Sequence, residues 1–144
     1  APRCAEEYQS KISGPMMDRI DLQIEVPLIQ PWELNRQQTG ANSATIRTRV
    51  EHARAFAADR FTTLKIHNNA EADGSVLEKI APMTTDAQSF LMNAARQMML
   101  SGRGYHRMIR VARTIADLDA TDIIQTPHVA EALSFHHSTR FKKD

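Results

Sequence analysis

The sequence predicts a mainly α protein, a helical bundle over residues 43–144 preceded by a short helix and one β-strand. Two observations carry this. From Ser43 onward, apolar residues recur at steps of three and four in successive segments, most of them opened by a capping residue or a proline. Before it, the run Ile20-Asp21-Leu22-Gln23-Ile24-Glu25-Val26 alternates apolar and polar at period two, the pattern of a half-buried strand, and Pro27 ends it.

Taken in order, residues 4–12 (CAEEYQSKI) read as a short helix broken at Ser13-Gly14-Pro15, after which Met16 to Arg19 make one further turn. The strand follows. A lone strand leaves backbone donors and acceptors unmet, so it is expected to pair with a sheet outside this chain or to lie loosely against the helices. Residues 28–42, rich in Gln and Pro and without periodicity, form a connector in which Trp32 is expected to be a packing anchor. Ser43 is the expected N-cap of a long helix whose stripe is Ile46, Val50, Ala53, Ala57 and Phe61. A short helix at 75–80 comes next. Thr85 and Gln88 suggest a capping box for a helix with Ala87, Leu91, Ala94, Ala95 and Met98 inward. Ser101-Gly102-Arg103-Gly104 is a tight break before a helix from Tyr105 to Leu118 with Met108, Val111, Ala112 and Ile115 inward and Arg107, Arg110 and Arg113 on its other sides. Thr126 and Pro127 open the last helix, which buries Val129, Ala132 and Leu133.

Composition narrows the function classes. A 144-residue chain with 42% hydrophobic residues suffices for one compact domain, since a chain of this size buries roughly 70% of its unfolded surface. Cys4 has no internal partner, which points to a reducing compartment, and the cytoplasm is the expected location. No apolar run approaches the roughly 20 residues a bilayer requires, so no membrane partner is expected. Eighteen basic against seventeen acidic residues give a formal charge of +1, unlike a dedicated nucleic-acid-binding domain. The first residue is not Met, and a piece of a longer protein is expected.

Self-contained chemistry is hard to place. The six histidines show no pair at the spacing of a helical zinc site, and no glycine-flanked serine elbow exists. There is no GxxxxGK[ST] loop and no apolar strand ending in acidic residues, so the chain is not expected to cradle a nucleotide alone. It can contribute cations. Arg19 stands after a Gly-Pro turn and Arg103 between two glycines at a helix start, and guanidinium offers bidentate donors to phosphate oxygens.

At Ser13-Gly14-Pro15-Met16-Met17-Asp18-Arg19-Ile20-Asp21-Leu22-Gln23-Ile24-Glu25-Val26-Pro27 the chain strongly resembles a segment of the magnesium-chelatase-like AAA+ ATPases of the ComM/YifB type. The likeness continues at Ser43 to Val50 and is strongest from Leu100 to Leu118. It implies that residues 1–27 end an AAA+ core, that the strand belongs to that core, and that 43–144 is the C-terminal helical lid. By the same resemblance Arg19 matches an arginine finger offered to ATP on a neighbouring subunit, and Arg103 matches sensor 2, acting in cis or in trans. Arg107 and Arg110 also match the family, and are expected to cover the lid surface or a subunit contact. The resemblance further implies ATP and Mg2+ in the parent protein but none held by this chain alone, a homo-oligomeric ring expected to be a hexamer, and DNA as a partner of the parent, which resembles a branch-migration motor of natural transformation. Cys4 resembles the last position of a cysteine-rich segment whose other ligands are missing, and supports no metal site. Two other readings compete: a free-standing helical module binding nucleic acid or protein through Arg47, Arg49 and Arg54 or through Arg107, Arg110 and Arg113, and a magnesium-chelatase subunit.

Overall fold

A computed structural model describes residues 13–17, 19–24, 26, 28, 30–33 and 40–136. The elements are α1 (Gly14–Met17), a 3-10 turn at Pro31–Glu33, α2 (Ser43–Thr62), a second 3-10 turn at Asn69–Glu71, α3 (Gly74–Ile80), α4 (Thr85–Met98), α5 (Gly102–Leu118) and α6 (Thr126–Ser134). The mainly α expectation is met. The expected helix at 4–12 lies outside the described residues.

The body is organised around α5, which packs against α6, α2, α3 and the second 3-10 turn, while α4 closes on α6. Its core joins Leu77 and Ile80 of α3, Leu91 of α4, Met108, Ala112 and Ile115 of α5, and Val129 of α6. Each large aliphatic side chain buried in this way contributes about 1.5–3 kcal/mol. The α3–α4 and α5–α6 linkers are also joined to each other. Ile124 donates its amide to Pro82 O at 2.8 Å and Thr84 donates to Ile124 O at 3.0 Å.

Helix starts fall near the expected places, shifted to the neighbouring capable residue. Asn42 Oδ1, not Ser43, accepts from Thr45 N at 2.8 Å, and Thr84 Oγ1, not Thr85, accepts from Ala87 N at 3.2 Å. Gln125 caps α6 in place of Thr126. An N-cap must leave the helical region yet reach back to the first turn, and two adjacent polar residues satisfy that equally on paper. The break before α5 is shorter than the glycines suggest. Met99 turns left-handed at φ 50, Leu100 N closes on Ala95 O at 2.9 Å in the manner of a helix C-cap, and α5 begins at Gly102, three residues before Tyr105.

Three expectations are corrected. Residues 20–24 and 26 form no strand ladder among the described residues, and the apolar members Leu22, Ile24 and Val26 stand exposed. Among the described residues no second strand lies beside them. Trp32 is 72% exposed, against the expectation of a packing anchor. The α2 stripe is only partly inward. Ala57 is buried, whereas Ile46 and Val50 are exposed because the first turns of α2 extend past the body.

Candidate functional site

Arg103 lies in the first turn of α5 rather than before it. Ser101 sets that turn: its Oγ accepts from Gly104 N at 3.0 Å, and its carbonyl accepts the first helical bond, from Tyr105 N at 2.8 Å. The amides of Gly102 and Arg103 fall among those that a helix start leaves without intrahelical partners. A Cβ built on Gly102 meets no heavy atom within 4 Å, so the space outside this turn is open. The Arg103 side chain is exposed and makes no hydrogen bond or ion pair among the described residues. A free guanidinium, two outward amides and the positive end of the helix dipole together make a donor set suited to phosphate oxygens.

Arg19 follows α1. Its amide closes the turn on Met16 O at 3.0 Å, and its Nη1 donates to Pro15 O at 2.9 Å on the surface. The guanidinium is thus folded back on its own turn. An exposed bond of this kind is worth only about 0.5–1.5 kcal/mol, little obstacle to release toward a stronger acceptor.

The next residue, Ile20, is held by α5. Arg107 is 1% exposed and sends Nη1 to Ile20 O at 2.7 Å, while its Nη2 meets His136 Nδ1 at 2.9 Å. Because the arginine must donate, that imidazole nitrogen is the acceptor. Three residues on, Gln23 N donates to Phe135 O at 2.9 Å. The stretch after Arg19 is thereby fastened to the C-terminal end of α6 and to the helix that carries Arg103.

The remaining α5 arginines point inward, against the expectation of a solvated or DNA-facing side. Arg113 is fully buried, its Nε donating to Asp117 Oδ1 at 3.1 Å and its two terminal nitrogens to the carbonyls of Asp122 and Thr121. Arg60 of α2 joins the same carboxylate. Asn69 Nδ2 reaches its other oxygen at 2.8 Å and Thr114 Oγ1 at 3.1 Å. Burial pulls the Arg113 guanidinium below the usual arginine range, Asp117 opposing the effect and Arg60 adding to it. Arg110 is half-buried and donates to Ala72 O at 3.1 Å. These arginines staple the lid together. Arg107 accordingly does not cover the surface.

Arg47, Arg49 and Arg54 remain exposed along α2. Among the histidines, His128 is buried and caps α6: its Nδ1 accepts from Gln125 N at 3.0 Å, so Nε2 carries the hydrogen and faces Asp119 Oδ2 at 3.4 Å. No group of three His, Cys, Asp or Glu side chains able to hold a metal ion occurs among the described residues. Nor is any helix there long and apolar enough to cross a membrane. Cys4 and His137 lie outside the described residues.

A model of the C-terminal part of the magnesium chelatase ChlI subunit matches residues 40–136. The chain belongs to this family. A second model, for the ChlI subunit itself, matches residues 1–34. The chain is 36% identical over 141 residues to the competence protein ComM of Haemophilus influenzae, covering 97% of this chain and 27% of that protein. It is 36% identical over 138 residues to the YifB protein of Escherichia coli, covering 92% and 26%. An uncharacterized protein of Mycobacterium tuberculosis is 33% identical over 131 residues, covering 91% and 26%. The chain thus spans about a quarter of the length of these curated relatives.

In this family member the sequence pattern hid Arg107, Arg113 and Asp117 as interior groups. One signal was present. Arg113 and Asp117 stand four apart on one helix, the spacing of an ion pair, but spacing alone does not tell a buried pair from a solvated one. Nothing local could have shown that Arg107 reaches Ile20, 87 residues away.

Proposed function

We propose that this chain is the finger turn and helical lid of an ATP-hydrolysing AAA+ ring protein, with Arg19 acting on ATP bound by a neighbouring subunit and Arg103 sensing nucleotide phosphates. The observation that carries the reading is Arg103, an exposed guanidinium in the capped first turn of α5, with open space beside the neighbouring Gly102. It stands apart from Arg107 and Arg113, which are consumed by the interior. The donors at that helix start fit the phosphates of ATP, and the bound nucleotide with its Mg2+ would supply the phosphoryl group to be transferred. Arg103 would hold phosphate oxygens. Arg19 would leave Pro15 O and neutralise charge that develops on transfer.

The division into a core end at 1–27, a connector at 28–42 and a lid at 43–144 is supported by the two family models, which meet between residues 34 and 40. The parent would supply the nucleotide loop and the subunits of a ring, expected to be hexameric and cytoplasmic. The reading of the parent as a DNA motor of the branch-migration kind is in line with the similarity to a competence protein; a magnesium-inserting subunit is the second reading, in line with the names of the two family models. A free-standing nucleic-acid module is the weaker reading, because two of the three arginines on its α5 face are buried.

The test is made in the longer parent protein. Arg19→Ala is expected to leave nucleotide affinity nearly unchanged and to lower turnover by roughly 10³-fold or more, the size of a finger effect. Turnover at the wild-type rate by that variant would remove the finger assignment.

A further inference from the structure

We infer that Arg107 is a positioning residue: it fixes the turn bearing Arg19 to the helix bearing Arg103, so that the two arginines move as one body. The inference rests on the finger reading above and adds to it the element that couples finger and sensor. Arg107 sits one helical turn beyond Arg103, and its buried guanidinium reaches a backbone carbonyl outside α5. That carbonyl belongs to Ile20, the residue directly after Arg19. A charged donor to a neutral carbonyl at 2.7 Å is among the stronger single contacts available to a segment without a ladder of its own. The second guanidinium nitrogen is held by His136 at 2.9 Å, just past the end of α6, which keeps the fork from swinging away. The Gln23 amide on Phe135 O fastens the same segment three residues later. The apolar side chains of this segment contribute little beyond Ile20, which is 37% exposed, since Leu22 and Ile24 are 50% and 69% exposed. Among the polar contacts that tie this segment to the body, Arg107 makes the one beside Arg19, and it bears on where that turn stands relative to α5.

The test has a structural and a functional arm. In the chain as it stands, Arg107→Met keeps the apolar length of the side chain and removes its donors. Amide exchange at Gln23 is expected to accelerate about tenfold or more, while amides in the middle of α5 and α4 keep their protection. In the parent protein the same variant is expected to lower kcat about tenfold or more at nearly unchanged KM for ATP, with partial recovery in Arg107→Lys, which keeps one donor. In an Arg19→Ala background Arg107→Met should cost no more than about twofold further, because a residue that acts through Arg19 has nothing left to position. Unchanged Gln23 exchange in a folded Arg107→Met chain would overturn the inference, as would losses in the two variants that simply multiply. If Arg107→Met does not fold, Gln23→Pro removes the neighbouring tether without touching α5. It should reproduce the fall in kcat at constant KM, and wild-type kcat would count against the inference. Failure of the finger reading looks different: Arg19→Ala itself would turn over ATP normally, and the faster Gln23 exchange would then report a tether without a catalytic role.

Discussion

The two ends of α5 use the same residue type in opposite ways. At its start Arg103 is exposed, flanked by glycines, and without a partner among the described residues. About three turns of helix away, Arg113 is fully buried with Asp117, and the carboxylate is shared with Arg60 and Asn69. Burying charge is costly, so an interior arginine persists only where its donors and its countercharge are met nearly in full. An exposed one with open space beside it is under no such constraint, and is available to a ligand. The difference separates arginines that hold the helical body together from one that is exposed, the one for which a nucleotide-sensing role is proposed.

The largest effect expected from breaking this contrast comes at the buried end. Asp117→Ala leaves Arg60 and Arg113 facing each other without their carboxylate, and should cost about 3–5 kcal/mol in chemical unfolding. A loss below about 1 kcal/mol would mean that the cluster is effectively solvated. The contrast is sharpened by replacing the pair together. Arg113→Met with Asp117→Leu should recover a large part of that loss, since removing both charges also removes their desolvation cost. If the double variant is no more stable than Asp117→Ala, the pair is doing more than cancelling its own burial.

Smaller effects are expected toward the exposed end. Ser101→Ala removes the cap on Gly104 N and should lower stability by about 0.5–2 kcal/mol, read as a shift in the denaturant midpoint. Arg103→Ala should change stability by no more than about 0.5 kcal/mol, as befits a surface side chain with no hydrogen bond or ion pair among the described residues. A larger drop would show that Arg103 has a structural partner, and would weaken its reading as a phosphate sensor.

Much of this molecule is legible in its sequence. Ala87 and Leu91, Met108, Ala112 and Ile115, and Val129 and Ala132 were identifiable as inward-facing by helical spacing alone, and all are buried. That works because burial of an amphipathic face is a local consequence of period. Polar positions are different. Arg103, Arg107, Arg110 and Arg113 look alike as residues on a helix, and spacing cannot say which of them meets a distant acceptor.

What the sequence by itself determined is the helical class, the order of the helices, most of the apolar core, and the absence of a nucleotide loop from this chain, all of which follow from local pattern and residue type. Only the tertiary structure decided that α2 extends beyond the body, that Trp32 is solvent-facing, and that Arg107 and Arg113 are interior while Arg103 is not. The physical reason is range. A cap or an apolar stripe is settled within a few residues, whereas the fate of a guanidinium depends on acceptors such as Ile20 O and Asp117 Oδ1, which only the folded chain brings to it.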